Sequence, residues 1–316
     1  MAWVPLKTVS LLTTVAAILI FFAPTAVAAE TRIAVFVSYD AQPVEEMLAG
    51  FREHLGRQGS AAILEIYPLY KSSTRMSQMS EELRKNGTRL ILALGSLALE
   101  TAGREALGIP VVSGMVLREA DIRRVRGATG VFLEYPLETQ FEWLRRLLPG
   151  TRSVGVVYNP AENQKIIAAA REVAGKMGME LIAREVTSPA ELPGALDSLA
   201  NQAEVLWGIS DNVVVTQQTA RSLLLFSFRN RIPFIGLSAA WVKAGAFYAL
   251  DRDYRDIGRQ CAEMALKILA GSDAGTLDPV PPRQTGFSLN LKTAERMKIT
   301  VSPSLRRAAA QLFQEE

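Results

Sequence analysis

Cysteine and histidine are nearly missing from this chain: Cys261 and His54 are the only ones in 316 residues. One of each, far apart, leaves no internal disulfide, no Cys–His nucleophile pair and no familiar zinc site. A serine triad would have to run through His54, which falls on the polar side of an expected helix, Val44–Leu55. Cys261 lies inside an apolar helical pattern and reads as a small buried hydrophobe. No phosphate-cradling or dinucleotide fingerprint follows any expected strand, and Gly178 simply ends a helix. The pattern therefore calls for no metal and no cofactor. Strong charge of one sign is also lacking. The net charge is +3, and Arg123-Arg124, Arg145-Arg146 and Arg306-Arg307 are short clusters on solvated faces, which argues against a nucleic-acid partner.

A long hydrophobic run occurs once, at the N-terminus. Lys7 precedes Val9–Phe22, which carries no charge, and Ala26-Val27-Ala28 follows with the small-x-small pattern of signal-peptidase sites. About 14 residues fall short of the ~20 that cross a bilayer. Residues 1–28 are thus expected to be a cleaved secretory leader, and residues 29–316 an exported, periplasmic chain. No cysteine follows the run to carry a lipid anchor. With 49% hydrophobic and 21% charged residues, the remainder is globular and long enough for two domains.

Short β-branched runs alternate with amphipathic helices along the whole chain, the pattern of parallel sheets covered on both faces. The spacing predicts strands at Ile33–Ser38, Ala62–Leu69, Leu90–Gly95, Pro110–Ser113 and Gly130–Tyr135. The second half repeats the order at Val154–Tyr158, Glu180–Val186, Val205–Ile209, Pro233–Leu237 and Phe247–Leu250. It also predicts helices at Val213–Asn230 and Ser304–Phe313. Gly108-Ile109-Pro110-Val111-Val112-Ser113 echoes Arg231-Ile232-Pro233-Phe234-Ile235-Gly236, each just after a helix. The fold class expected is α/β: two doubly wound, Rossmann-like parallel-sheet domains joined by a hinge. The first lobe would hold residues 29–135 with about 251–285, and the second residues 136–250. Residues 286–316 would add a strand and helix returning across the lobes.

In open parallel sheets, ligands bind beyond the carboxyl ends of the strands. That rule selects Ser38, Tyr39 and Asp40; Gly95 and Ser96; Ser113 and Gly114; Tyr158 and Asn159; Ser210, Asp211 and Asn212; and Ser238. Hydroxyls, amides, carboxylates and aromatics suit a polar small molecule. Ser96, Asp211 and Asn212 serve equally as helix N-caps. The two roles of Asp211 separate on Asp211→Asn, which keeps a cap and removes the charge.

Tyr158-Asn159-Pro160-Ala161-Glu162-Asn163, Ser210-Asp211-Asn212, Ile232-Pro233-Phe234-Ile235-Gly236, Lys243-Ala244-Gly245-Ala246 and Asp253-Tyr254-Arg255-Asp256-Ile257-Gly258 stand in that order. The ordered set resembles the ABC-transporter substrate-binding proteins of the tryptophan/tyrosine type. The resemblance implies a type I periplasmic-binding fold with three crossovers between lobes and a cleft ligand that is often an aromatic amino acid. It also implies contacts from Asn159, Glu162, Asn163, Asp211 and Asn212, an inner-membrane permease as partner, and a monomer with no catalytic residue. The chain departs from the family pattern where Asn163-Gln164-Lys165 replaces an Ala-Asn-Ser-like run. A sensor subunit that hands the same ligand to a signalling receptor stays open beside transport. So does an enzyme on the same scaffold, for which Asp211 with Lys243 or Glu162 with Lys165 would be the catalytic pair.

Overall fold

The computed structural model describes residues 1–2, 31–71, 76–105 and 108–314. The expected leader, apart from Met1 and Ala2, lies outside the described residues. No helix among them is long and apolar enough to cross a membrane.

The first lobe runs β1 (Thr31–Val37), α1 (Gln42–Arg57), β2 (Ala62–Pro68), α2 (Met76–Lys85), β3 (Thr88–Leu94), α3 (Ser96–Glu105), β4 (Val111–Val116), α4 (Glu119–Arg123) and β5 (Ala128–Phe132). The sheet is parallel throughout, in the order β2-β1-β3-β4-β5. Both faces are covered, so its strands are nearly continuous apolar runs. Ile33, Val35 and Val37 face one layer, and Ala34 and Phe36 face the other.

The second lobe runs α5 (Leu137–Leu147), β6 (Ser153–Tyr158), α6 (Pro160–Lys176), β7 (Glu180–Glu185), α7 (Leu192–Asp197), β8 (Val205–Trp207), α8 (Ala220–Asn230), β9 (Phe234–Gly236), α9 (Ala239–Ala244) and β10 (Tyr248–Arg252). Its strands lie in the order β7-β6-β8-β9-β10, the winding of the first lobe again. The repeated Ile-Pro has one structural task in both lobes. Pro110 and Pro233 stand just before β4 and β9, and their carbonyls accept from Ile91 and Leu206 of the neighbouring strand at 3.0 and 2.9 Å. Proline lacks a donor, but its acceptor is fully usable there.

The chain then returns. Helix α10 (Tyr254–Leu269) packs on the first lobe, where Ile257, Cys261 and Ala265 join the core beneath β1, β3 and β4. Its docking on α1 depends on two glycines. A Cβ on Gly50 would stand 1.9 Å from the Arg255 carbonyl oxygen, and one on Gly258 would stand 2.0 Å from that of Met47. Val280 bridges to Val131 in parallel before the chain crosses back a third time.

The last elements are β11 (Thr285–Asn290), α11 (Leu291–Arg296), α12 (Pro303–Ala308) and β12 (Gln311–Phe313). Strand β11 pairs antiparallel with β10, and β12 pairs parallel with β11. The closing segment thus extends the second sheet and does not span both lobes. The helix expected over Ser304–Phe313 ends at Ala308, because the free edge of β11 takes Gln311–Phe313 as a strand. The helix expected from Val213 starts only at Ala220. Its first residues, Val213-Val214-Val215-Thr216, are β-branched, and the Asp211 side chain and the Thr216–Thr219 hydroxyls claim the backbone there instead.

Candidate functional site

Because each sheet is wound outward from its middle, each has a point where the strand order reverses. In the first lobe this falls at the carboxyl ends of β1 and β3, and in the second at those of β6 and β8. Crevices form at such points. Most of the residues selected from sequence follow these four strands, while Ser113 and Gly114 lie within β4 and Ser238 follows β9; the structure gives them different tasks.

In the first lobe the Ser38 hydroxyl accepts from the Ala98 N–H at 2.9 Å and so caps α3 from outside. Gly95, at φ +95°, leaves no room for a side chain: a Cβ would lie 2.6 Å from Ser38 Oγ. Tyr39 is exposed beside it, with its phenol pKa raised by partial burial and by Tyr254. Asp40 and Ser96 are exposed, Ser96 as the first residue of α3. Ser113 is turned away from the cleft. It is fully buried, its Oγ has no partner among the described residues, and its carbonyl accepts from Cys261 Sγ. Neighbouring Met115 is buried at φ +61°, where β4 and β5 slip register.

The second lobe gathers the residues that the resemblance named. Asn159 Oδ1 accepts from the Ala161 N–H at the start of α6, and Asn159 Nδ2 donates to Glu162 Oε1 at 3.2 Å. Glu162 Oε2 accepts from both the backbone and the side chain of Asn212. Asp211 joins the two loops. Its Oδ2 accepts from Asn159 N (2.7 Å) and Asn163 Nδ2 (2.8 Å), and its Oδ1 from Val213 N and Val214 N (2.9 Å each). Asp211 is 4% exposed, and both oxygens are engaged within the protein. Four donors leave it a loop organiser and not a grip for a ligand ammonium. Asn163 is buried on α6 and also donates to the Ser210 carbonyl at 3.1 Å. Ser210, at the end of this network, lines the cavity described next.

Tyr158 is a correction of a different kind. It is 1% exposed, and its hydroxyl donates to Glu185 Oε1 at 2.7 Å on the neighbouring strand β7. Alternation along β6 puts Val154, Val156 and Tyr158 on one face, beneath α5 and α6, so this ring is core. Burial, with Glu185, pushes its phenol up to about 12. Ser238 is half-buried at the start of α9, where its carbonyl accepts from Trp241 and Val242. Lys165 and Lys243 are exposed, which gives the imagined catalytic pairs no shielded site.

A cavity lies at the hinge end of the cleft. It holds about 220 Å³ behind the carboxyl ends of β8 and β9, against the residues that follow β4 and β5. Trp207, Ile209, Ile235, Leu237 and Leu250 form an apolar wall, and Glu134, Gln140, Ser210 and Arg252 supply polar groups. Gln140 is held at both ends: Nε2 donates to the Tyr135 carbonyl at 2.8 Å, and Oε1 accepts from Trp207 Nε1 at 3.1 Å. That bond fixes the indole in the wall. Behind the cavity, the Tyr135 hydroxyl binds the carbonyls of Asp251 (2.8 Å) and Gln284 (3.2 Å), one on each of the other two crossovers. Arg252 lies over the Tyr135 ring and donates through Nε to the Leu133 carbonyl at 2.6 Å.

Sequence reasoning passed over Glu134, Gln140, Trp207 and Arg252. The strand-end rule, extended to the ends of β5 and β10, would have found Glu134 and Arg252; Glu134 was read as the last part of an expected strand, Gly130–Tyr135, and Arg252 as part of the connection after Leu250.

A family model described as ABC transporter substrate binding protein matches residues 30–313. A curated tyrosine-binding protein of Clostridioides difficile is 24% identical over 223 residues, 67% of this chain and 64% of that protein's length. Among solved structures, the ligand-free, open form of a Clostridium difficile substrate-binding protein with adhesive properties superposes with TM-score 0.75. It is 18% identical, over 90% of this chain and all of that one. A Streptococcus pneumonia ABC domain in complex with L-Trp superposes with TM-score 0.62, also 18% identical over 90% of this chain and all of that one. Two like-wound α/β lobes with three crossovers agree with these folds, and the chain belongs to the ABC transporter substrate-binding protein family.

Proposed function

We propose that this protein is the extracytoplasmic substrate-binding component of an ABC importer, and that it takes an aromatic amino acid into the cleft by closing its lobes about the hinge. The observation that carries the reading is the hinge cavity: an apolar wall built around a fixed indole, with charged groups of both signs beside it. Such a lining suits a ligand with a flat apolar side chain and a charged head. The tyrosine named for the C. difficile relative and the L-Trp bound in the S. pneumonia structure support the ligand class. Three narrow crossovers allow an open state, and closure about them follows the common hinge pattern. The leader read at residues 1–28 would deliver the chain to the periplasm, and a permease would receive the ligand.

The carboxylates of Asp211 and Glu162 are spent on the loops that hold them, so binding without chemistry is the reading favoured here. Native mass spectrometry of the protein as purified from the periplasm tests it, because a closed cleft retains ligand. A mass increment matching tyrosine or tryptophan supports the reading. A sugar or a peptide in its place would overturn it.

A further inference from the structure

Two residues of the hinge cavity carry charge, and they are of opposite sign: Glu134 and Arg252. Glu134 follows β5 on the first crossover, and Arg252 ends β10 at the second. Burial raises the Glu134 pKa, and the neighbouring cations Arg118 and Arg252 offset that rise only in part. Yet among the described residues no ion pair joins Glu134 to Arg252, and the Glu134 carboxylate accepts no hydrogen bond. Arg252 uses only Nε, on Leu133, and its ring-facing plane, on Tyr135. Its two terminal nitrogens point to no described partner. Partly buried charges left unpaired are costly, and an opposite charge that completes them is correspondingly well held.

We propose that Glu134 and Arg252 form a split clamp for the zwitterionic head of an α-amino acid. Glu134 accepts from the ammonium, and the free edge of the Arg252 guanidinium donates to the carboxylate. The side chain then lies along Trp207, Ile209, Ile235, Leu237 and Leu250. This deepens the function proposed above and rests on it. The clamp draws its halves from two different crossovers, so a bound head group ties the hinge strands together at the point about which the lobes rotate.

The test is calorimetry on ligand-stripped protein with whichever of L-tyrosine and L-tryptophan binds tighter, its decarboxylated amine and its deaminated acid. Wild-type protein is expected to bind each analogue about tenfold or more weakly than the amino acid. Arg252→Gln should bind the amino acid and the amine alike, and Glu134→Gln should bind the amino acid and the acid alike. Full discrimination retained by both variants overturns the clamp alone. Failure of the wild-type protein to bind either aromatic amino acid overturns the ligand class and the clamp with it. Arg252→Gln also loses its bond to Leu133 and its stacking on Tyr135. Should it fail to fold, Glu134→Gln decides the matter, since Glu134 holds up no described neighbour.

Discussion

The hydroxyl of Tyr135 lies 2.8 Å from the carbonyl oxygen of Asp251, and this contact joins the first crossover to the second. The same hydroxyl reaches Gln284 on the third. The ring is 4% exposed, and burial drives its phenol up to about 12, so the hydroxyl stays protonated and donating at any physiological pH. Replacing Tyr135 by Phe removes the tie and keeps the ring under Arg252. The expected cost is about 1 kcal/mol, or about 2–4 °C in the Tm of lobes this size. Calorimetric melting of the ligand-free variant checks it. An unchanged Tm would mean that the three crossovers hold together without this residue.

Asp211 accepts from four N–H donors, and Asn offers an amide NH₂ where one carboxylate oxygen now receives two of them. Asp211→Asn should therefore lower the stability of the ligand-free protein by about 2–4 kcal/mol, the loss of charge-assisted bonds plus a donor facing donors. That departs from the expectation from sequence, in which Asn keeps the cap and removes only the charge. Urea unfolding of the ligand-free variant separates the two: a midpoint equal to wild type would return Asp211 to the role of a simple cap.

Gly258 meets the Met47 carbonyl where α10 crosses α1. A methyl group there forces the helices apart, at about 1–3 kcal/mol or more. Gly258→Ala is expected to melt earlier and to loosen α10 from the first lobe, seen as faster amide exchange over Tyr254–Leu269. Gly56, whose Cβ would meet nothing within 4 Å, is the control. Equal effects at the two positions would contradict the close-approach argument.

The Cys261 thiol is fully buried, and desolvation pushes its pKa up to about 12. At pH 8 it should resist a thiol reagent in the native protein and react fully in denaturant. Because α10 seals it, the slow native reaction reports opening of the first lobe. Prompt native labelling would refute the buried placement.

The doubly wound pattern was legible because apolar runs on strands covered on both faces leave little ambiguity, and because Pro110 and Pro233 mark equivalent strand starts. What sequence misplaced had tertiary causes. Ala309-Ala310 would continue the helix, but pairing with the edge of β11 overrides that preference. Val213–Thr219 precedes a helix, but local side-chain bonds hold it as turns. The loops of Asn159, Glu162 and Asp211 do meet in space, but the carboxylates of Glu162 and Asp211 are spent inward on those loops. Glu134 and Arg252 were hidden because they fall where the chain passes between lobes. Only the meeting of three crossovers turns those linkers into a cavity wall.

The most direct measurement is titration of ligand-stripped protein with a panel of the twenty L-amino acids and several sugars, read by calorimetry together with the emission of Trp207. One-to-one binding of L-tyrosine or L-tryptophan, at least about tenfold tighter than any aliphatic amino acid, with a change in emission lost in Trp207→Phe, is the predicted result. Tight binding of a sugar with no response to either aromatic amino acid would contradict the account.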